Sequence, residues 1–223
     1  MPVSNFVART EELVRLHAIL GKGNGRRTAV LHGLGGMGKT QLALAYAKCH
    51  YTDYSAAIWL NAKDEAGLKQ SFSRGAERII RQYPSLTYLQ NALTGRDLGQ
   101  ITQAVMHWLD EPKNDRWLLI YDNYDNPKFG TQQDESLETE MEELHISPGD
   151  SLVKAYDIRK YLPHTTHGSI LITTRSSMVK IGQQVQLRKL GDIQDSLKIL
   201  VSTSNRQELY DGKSLLLKWS NQF

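Results

Sequence analysis

Four residues in this chain stand at a spacing that chemistry can use. Gly33, Gly38, Lys39 and Thr40 satisfy G-x-x-x-x-G-K-[ST], with Gly35 and Gly36 inside the loop. Glycines let consecutive backbone N–H groups wrap an anion, and a helix starting near Lys39 turns its positive end on the same point. A lysine ammonium at that position reaches the β- and γ-phosphates of a nucleotide, and the adjacent threonine hydroxyl ligates Mg²⁺. A plain glycine turn between a strand and a helix is the bland alternative. The apolar strand before the loop and the apolar helix after it are the context that the phosphate reading requires. The pattern predicts ATP or ADP with Mg²⁺, held by Gly33, Gly35, Gly36, Gly38, Lys39, Thr40 and the next helical residue, Gln41.

Asp122 ends the apolar run Leu118–Leu119–Ile120–Tyr121. A carboxylate at the C-terminal end of a strand beside such a loop can hold Mg²⁺ through its water shell. Thr40 and Asp122 are therefore the expected metal pair, with a turn-capping aspartate as the alternative. Asn123 comes next. It can orient water but not accept a proton, so hydrolysis should be slow unless Asp125 substitutes. Asp122, Asn123 and Asp125 form the candidate catalytic set. Arg175 follows the strand ending Ile172–Thr173–Thr174, where a guanidinium could sense a γ-phosphate by paired hydrogen bonds or simply face solvent. Thr173 and Thr174 could reach phosphate or the water shell.

The other candidates carry less. His17, His107, His145, His164 and His167 show no metal-ligand spacing, and His164 and His167 read as surface residues. Cys49 reads as a small packing residue, and Trp59, Trp108 and Trp117 fit core positions. Arg26–Arg27 is only a basic pair, so a nucleic-acid partner is not expected.

The elements that must position these residues show as alternating periods. A helical pattern with Thr10 as its N-cap runs through Leu13, Leu16 and Leu20. Strands are predicted at 27–32, 56–61, 116–122, 168–174 and 184–190. Helices are predicted at 41–50, at 97–110, at 192–203, and from a cap at Asp64 through Ile79. Residues 83–96 read as a Pro- and Gly-punctuated connection. Strands alternating with helices indicate an α/β fold with a doubly wound parallel sheet. The chain has 223 residues; at about 150 per domain that allows one full core and an appendage. Lys and Arg number 27 against 24 acids, too small an excess to argue for nucleic acid. One cysteine forms no internal disulfide, and no stretch reaches the ~18 apolar residues of a membrane span. With no secretory pattern at MPVSNFVARTEEL, a cytoplasmic location is expected. The interval 130–156 interrupts the alternation. Its stretch 131–150 carries seven acids and no Lys or Arg, and is read as a solvated insertion.

FVARTEELVRL, VLHGLGGMGKTQLALAYA, WLLIYDNYDNP and GSILITTR, in that order, resemble the NB-ARC branch of the STAND P-loop NTPases. These are the nucleotide-switch modules of NOD-like receptors, and the DNxDxP run with DIRKYLP before GSILITTR looks most like the fungal ones. The resemblance covers roughly residues 5–203. It implies a P-loop NTPase three-layer sandwich: a five-stranded parallel sheet with helices on both faces and the fourth strand between the first and third. That order puts Arg175 beside the P-loop as the arginine that reads the γ-phosphate. It also implies that the backbone near Val7 and the side chain of Arg9 lie against adenine, with Ala8 where the family has glycine. Asn123 departs from the paired acids of many plant and animal members.

The implied organisation is a leading segment and helix at 1–26, a nucleotide-binding domain at 27–204 and a tail at 205–223 of no assigned role. The family's GLPLA and MHD motifs do not occur, so the resemblance is to a member truncated after the nucleotide-binding subdomain. The implied function is an intracellular ADP/ATP-binding signalling switch of innate immunity with slow or no hydrolysis. Bound ADP holds it closed, and exchange for ATP drives assembly with further copies or other receptor chains. An actively hydrolysing P-loop ATPase, such as an AAA+-like motor or regulator, is the alternative. It would want a second acid after Asp122.

Overall fold

The apolar runs pair side by side into one parallel sheet. In a computed structural model, the residues described are 9–21, 23, 25–128 and 154–189. Val7, the acidic stretch at 131–150, the helix expected at 192–203 and the tail from 205 lie outside them. The elements are α1 (Thr10–Leu20), β1 (Arg27–His32), α2 (Lys39–Cys49), β2 (Ala56–Asn61), α3 (Glu65–Gln82), α4 (Thr87–Gly95), α5 (Leu98–Asp110), β3 (Trp117–Asp122), β4 (Ser169–Thr174) and β5 (Gln183–Gln186). The strands lie in the order β2-β3-β4-β1-β5, all parallel. The fourth strand does sit between the first and third.

Side-chain alternation along the strands makes two cores from one sheet. Ala29 and Leu31 of β1 face α1 and α2, packing with Leu16, Leu20, Leu42 and Tyr46. Val30 points to the opposite face, into a larger cluster with Phe72, Val105, Trp108 and Tyr121 beneath α3, α4 and α5. All six residues of β3 and all six of β4 are buried, as expected for central strands covered on both faces. This is the α/β P-loop NTPase-like sandwich that the sequence predicts.

Several local expectations need correction. Residues 83–96 are not a bare connection, because α4 occupies Thr87–Gly95. Leu89 and Ala92 are buried in the α3–α5 core, with Leu86 and Leu93 packed against it, and that apolar face stabilises a nine-residue helix between its breakers. Thr10 is the first helical residue rather than a cap; Arg9 holds the cap position without a side-chain cap hydrogen bond. Trp59 is 37% exposed. It belongs to edge strand β2, where α3 packs over the face carrying Ile58 and Leu60 and Trp59 points the other way. Cys49 is exposed at the end of α2 instead of packing. β5 is shorter than predicted, ending at Gln186, although Leu187 still donates its N–H to His32 at 2.7 Å. Asp64 and Asp97 do cap α3 and α5, accepting from the N–H groups of Gly67 at 2.6 Å and Gln100 at 2.7 Å.

Candidate nucleotide-binding site

β1 delivers the glycine loop to the C-terminal edge of the sheet, and β4 and β5 hold its start in place. Gly33 donates its N–H to the Thr174 carbonyl at 3.3 Å. At the far end of the loop Gly38 sits at φ +83°, N-terminal to α2, where a side chain would be strained. Its carbonyl accepts the first helical bond, from Leu42 at 2.8 Å. α2 therefore begins with its N-terminal amides at the loop and no acidic residue in its first turn, the arrangement that favours a bound anion.

Lys39 is 9% exposed and folds back over the loop, donating to the carbonyls of Gly33 at 2.8 Å and Leu34 at 2.9 Å. Burial pulls its pKa below the usual lysine value; Arg175 pushes the same way, while Asp125 and Asp122 oppose. Thr40, one residue on, donates its hydroxyl to Asp122 Oδ1 at 2.9 Å. Asp122 is 5% exposed, and the same oxygen accepts a 2.6 Å bond from Thr173. Thr173 and Thr174 are fully buried. The Thr173 hydroxyl serves Asp122 and the Asn123 N–H, and that of Thr174 accepts from Ser176.

The chain leaving β3 is bonded to the chain leaving β4. Asn123 adopts φ +67°, a conformation that asparagine tolerates better than most residues. Its Nδ2 lies 3.4 Å from Asp122 Oδ2. Tyr124 donates its N–H to the Thr173 carbonyl at 2.9 Å, and its buried hydroxyl donates to the Tyr156 carbonyl at 2.8 Å. This turn aims Asp125 at Arg175. One carboxylate oxygen accepts the Arg175 N–H at 2.7 Å and the other pairs with Arg175 Nε at 2.9 Å. The guanidinium carbon lies 3.6 Å from where a β-carbon on Gly35 would stand, so Arg175 is beside the P-loop.

Arg9 was expected against adenine. It is 7% exposed and ties the P-loop to the segment after β5, donating to the carbonyls of Met37 at 3.0 Å and Arg188 at 3.1 Å while pairing with Glu12 at 3.0 Å. Gly35, Gly36 and Gln41 are exposed at the loop and the first turn of α2. Sequence reasoning missed Met37 and Arg188 as the carbonyl partners of Arg9. Backbone acceptors leave no mark in residue type.

No family model matches the chain. A "nucleotide-binding leucine-rich repeat (NLR)-like protein" of Hyaloscypha variabilis is 27% identical over 181 residues, 78% of this chain and 16% of that relative. That similarity supports the resemblance of this chain to NB-ARC-like nucleotide-binding domains. The chain thus spans a small part of that relative's length. More distant similarity extends to solved structures. Cdc6p of Pyrobaculum aerophilum is 12% identical with a TM-score of 0.49, over 91% of this chain and 52% of that one. The ADP form of ORC2 from Aeropyrum pernix is 17% identical with a TM-score of 0.46, over 93% and 55%. Among the described residues of the NB-ARC-like domain, no helix is long and apolar enough to cross a membrane.

Proposed function

We propose that this NB-ARC-like domain is an ADP/ATP switch that binds nucleotide far faster than it consumes it. The observation that carries this reading is the pairing of Asp125 with Arg175. Position 123 offers an amide where a hydrolase wants a second carboxylate. The nearest substitute in sequence, Asp125, has both oxygens engaged by Arg175. A general base must be free to take a proton from the attacking water, and this pair leaves Asp125 as a tether for an arginine at the P-loop.

Lys39 and the loop amides would hold the β- and γ-phosphates, with Arg175 touching only the γ-phosphate. A ligand shifts a two-state equilibrium only through its differential contacts with the two states. An arginine that meets ATP and not ADP supplies such a difference. Thr40 and Asp122 fit Mg²⁺. A hydroxyl and a buried carboxylate are adjacent, hard oxygen donors, and the hydrogen bonds to Asp122 come from neutral groups. Held by Thr40 and Asp122, Mg²⁺ would offset the negative charge of the phosphates. The Arg9 link between the P-loop and the segment after β5 would let nucleotide state reach the chain beyond residue 188. Assembly with further copies or other receptor chains on ATP binding completes the reading, as the resemblance to nucleotide-switch modules implies. We also propose 27–204 as the extent of the domain.

Titration calorimetry of ADP and Mg-ATP against the chain and its Arg175→Ala variant tests the switch. The reading expects ATP affinity to fall by about tenfold or more in the variant, the loss of a charge-assisted contact, with ADP affinity kept. Equal change for both nucleotides would remove Arg175 from the role.

A further inference from the structure

We propose a second ligand site on this chain: a zinc-class divalent cation held by His17, His50 and Asp53, at the opposite end of α2 from the P-loop. The three residues come from three separate elements. His17 lies in the last turn of α1, His50 is the C-terminal cap of α2, and Asp53 closes the 3-10 turn Tyr51–Asp53. Spacing in the sequence does not join 17 to 50, and only the packing of α1 beside α2 brings them together. One ligand atom from each residue lies within 4.8 Å of the other two. α2 has 11 residues, so at 1.5 Å per residue the site is about 16 Å along the helix from Lys39.

Chemistry and electrostatics agree on the occupant. Two imidazoles and one carboxylate are a donor set suited to zinc, with water completing a tetrahedron. Both helices end here, at Gly21 and His50, and helix C-termini carry negative partial charge that favours a cation. His50 Nδ1 is already 3.1 Å from Asp53 Oδ2. His17 Nδ1 is buried with no hydrogen-bond partner, the state a ring nitrogen leaves when it gains a metal or a proton acceptor. The frame is set. A β-carbon at Gly21 would come within 2.5 Å of the His17 carbonyl and 3.1 Å of its ring, so glycine leaves the room that the imidazole occupies. The Tyr46 ring lies 4.8 Å from that of His50. The Tyr46 and Tyr54 hydroxyls bond at 2.7 Å, and Tyr54 donates to the Leu20 carbonyl at 3.2 Å, fixing α2 against the end of α1.

The two imidazoles stack at 3.9 Å with an 8° interplanar angle. Parallel rings aim their in-plane lone pairs side by side, so ligation splays them about their side-chain torsions. That movement is a signature. In the whole chain, freed of metal by chelator, zinc chloride titrated with Mg²⁺ present should bind at one equivalent and shift the imidazole nitrogen resonances of His17 and His50 together. His17→Gln and His50→Gln should each weaken zinc by more than about a hundredfold, beyond what outer-shell changes produce. Lys39→Ala and Cys49→Ser should leave it unchanged. Zinc binding that survives both histidine substitutions, or that moves neither imidazole in the unsubstituted chain, would overturn the site. Should a variant fail to fold, the resonance shifts in the unsubstituted chain decide alone.

Discussion

Single residues at the P-loop show how far type and spacing can be trusted. Lys39, Thr40 and Asp122 are legible because each must be that residue type at that place. Thr40 and Asp122 meet at 2.9 Å although 82 positions apart. The Asp125–Arg175 pair is not legible, because it depends on β3 and β4 being neighbours and on Asn123 turning through positive φ. The His17–His50–Asp53 cluster is not legible either, because it depends on α1 packing beside α2. Lys39 gives a prediction with a definite sign. Burial lowers its pKa, so between that lowered value and 10.5 the unfolded chain binds more protons than the folded one. Stability must therefore rise with pH across that window as the penalty on the charged form is relieved. Lys39→Met should remove that rise, leave the domain folded and abolish nucleotide binding. Urea melts from pH 7 to 10 check the first two and calorimetry the third. An identical pH slope in the variant would show that Lys39 is not the group responsible.

At the scale of elements, strands were easier to read than helices with short faces. β1, β2, β3 and β4 each carry a short apolar run, and those of β1, β3 and β4 lead into residues of the site, so their identity and direction follow together. α4 was lost because Pro84 and Gly95 mark both ends as breaks, while its buried face consists of Leu89 and Ala92 alone. If that packing holds the helix, Leu89→Ala should cost about 2–5 kcal/mol through the cavity it leaves; a loss under about 0.5 kcal/mol in denaturant melts would mean α4 contributes little. Gly168 marks a second constraint, at the entrance to β4. It sits at φ +82°, and a β-carbon there would stand 2.3 Å from the Trp117 ring. Trp117 is fully buried and donates its indole N–H to the Leu109 carbonyl, so the ring has nowhere to retreat. Gly168→Ala should destabilise by at least ~2 kcal/mol from backbone strain and overpacking combined, read as a lowered melting temperature; an unchanged melt would contradict that.

Over the whole molecule the alternation of strands and helices fixes the class, and parallel pairing then gathers the ends of β1, β3 and β4 on one edge. That edge holds Lys39, Thr40, Asp122, Asp125 and Arg175 in one place. The opposite end of α1 and α2 holds the proposed cation site, so a single helix, α2, runs from one to the other. The charge balance also resolves along the sequence, since seven of the 24 acids fall in the stretch 131–150 and the rest of the chain is correspondingly basic, as suits a phosphate ligand. The proposed switch must bind ATP without hydrolysing it. Single-turnover hydrolysis of Mg-ATP by the intact chain, with Asp122→Asn alongside, tests it most directly. Bound ATP should last orders of magnitude longer than an enzyme turning over at about 10 s⁻¹ would allow. Turnover near that rate, abolished by Asp122→Asn, would contradict it.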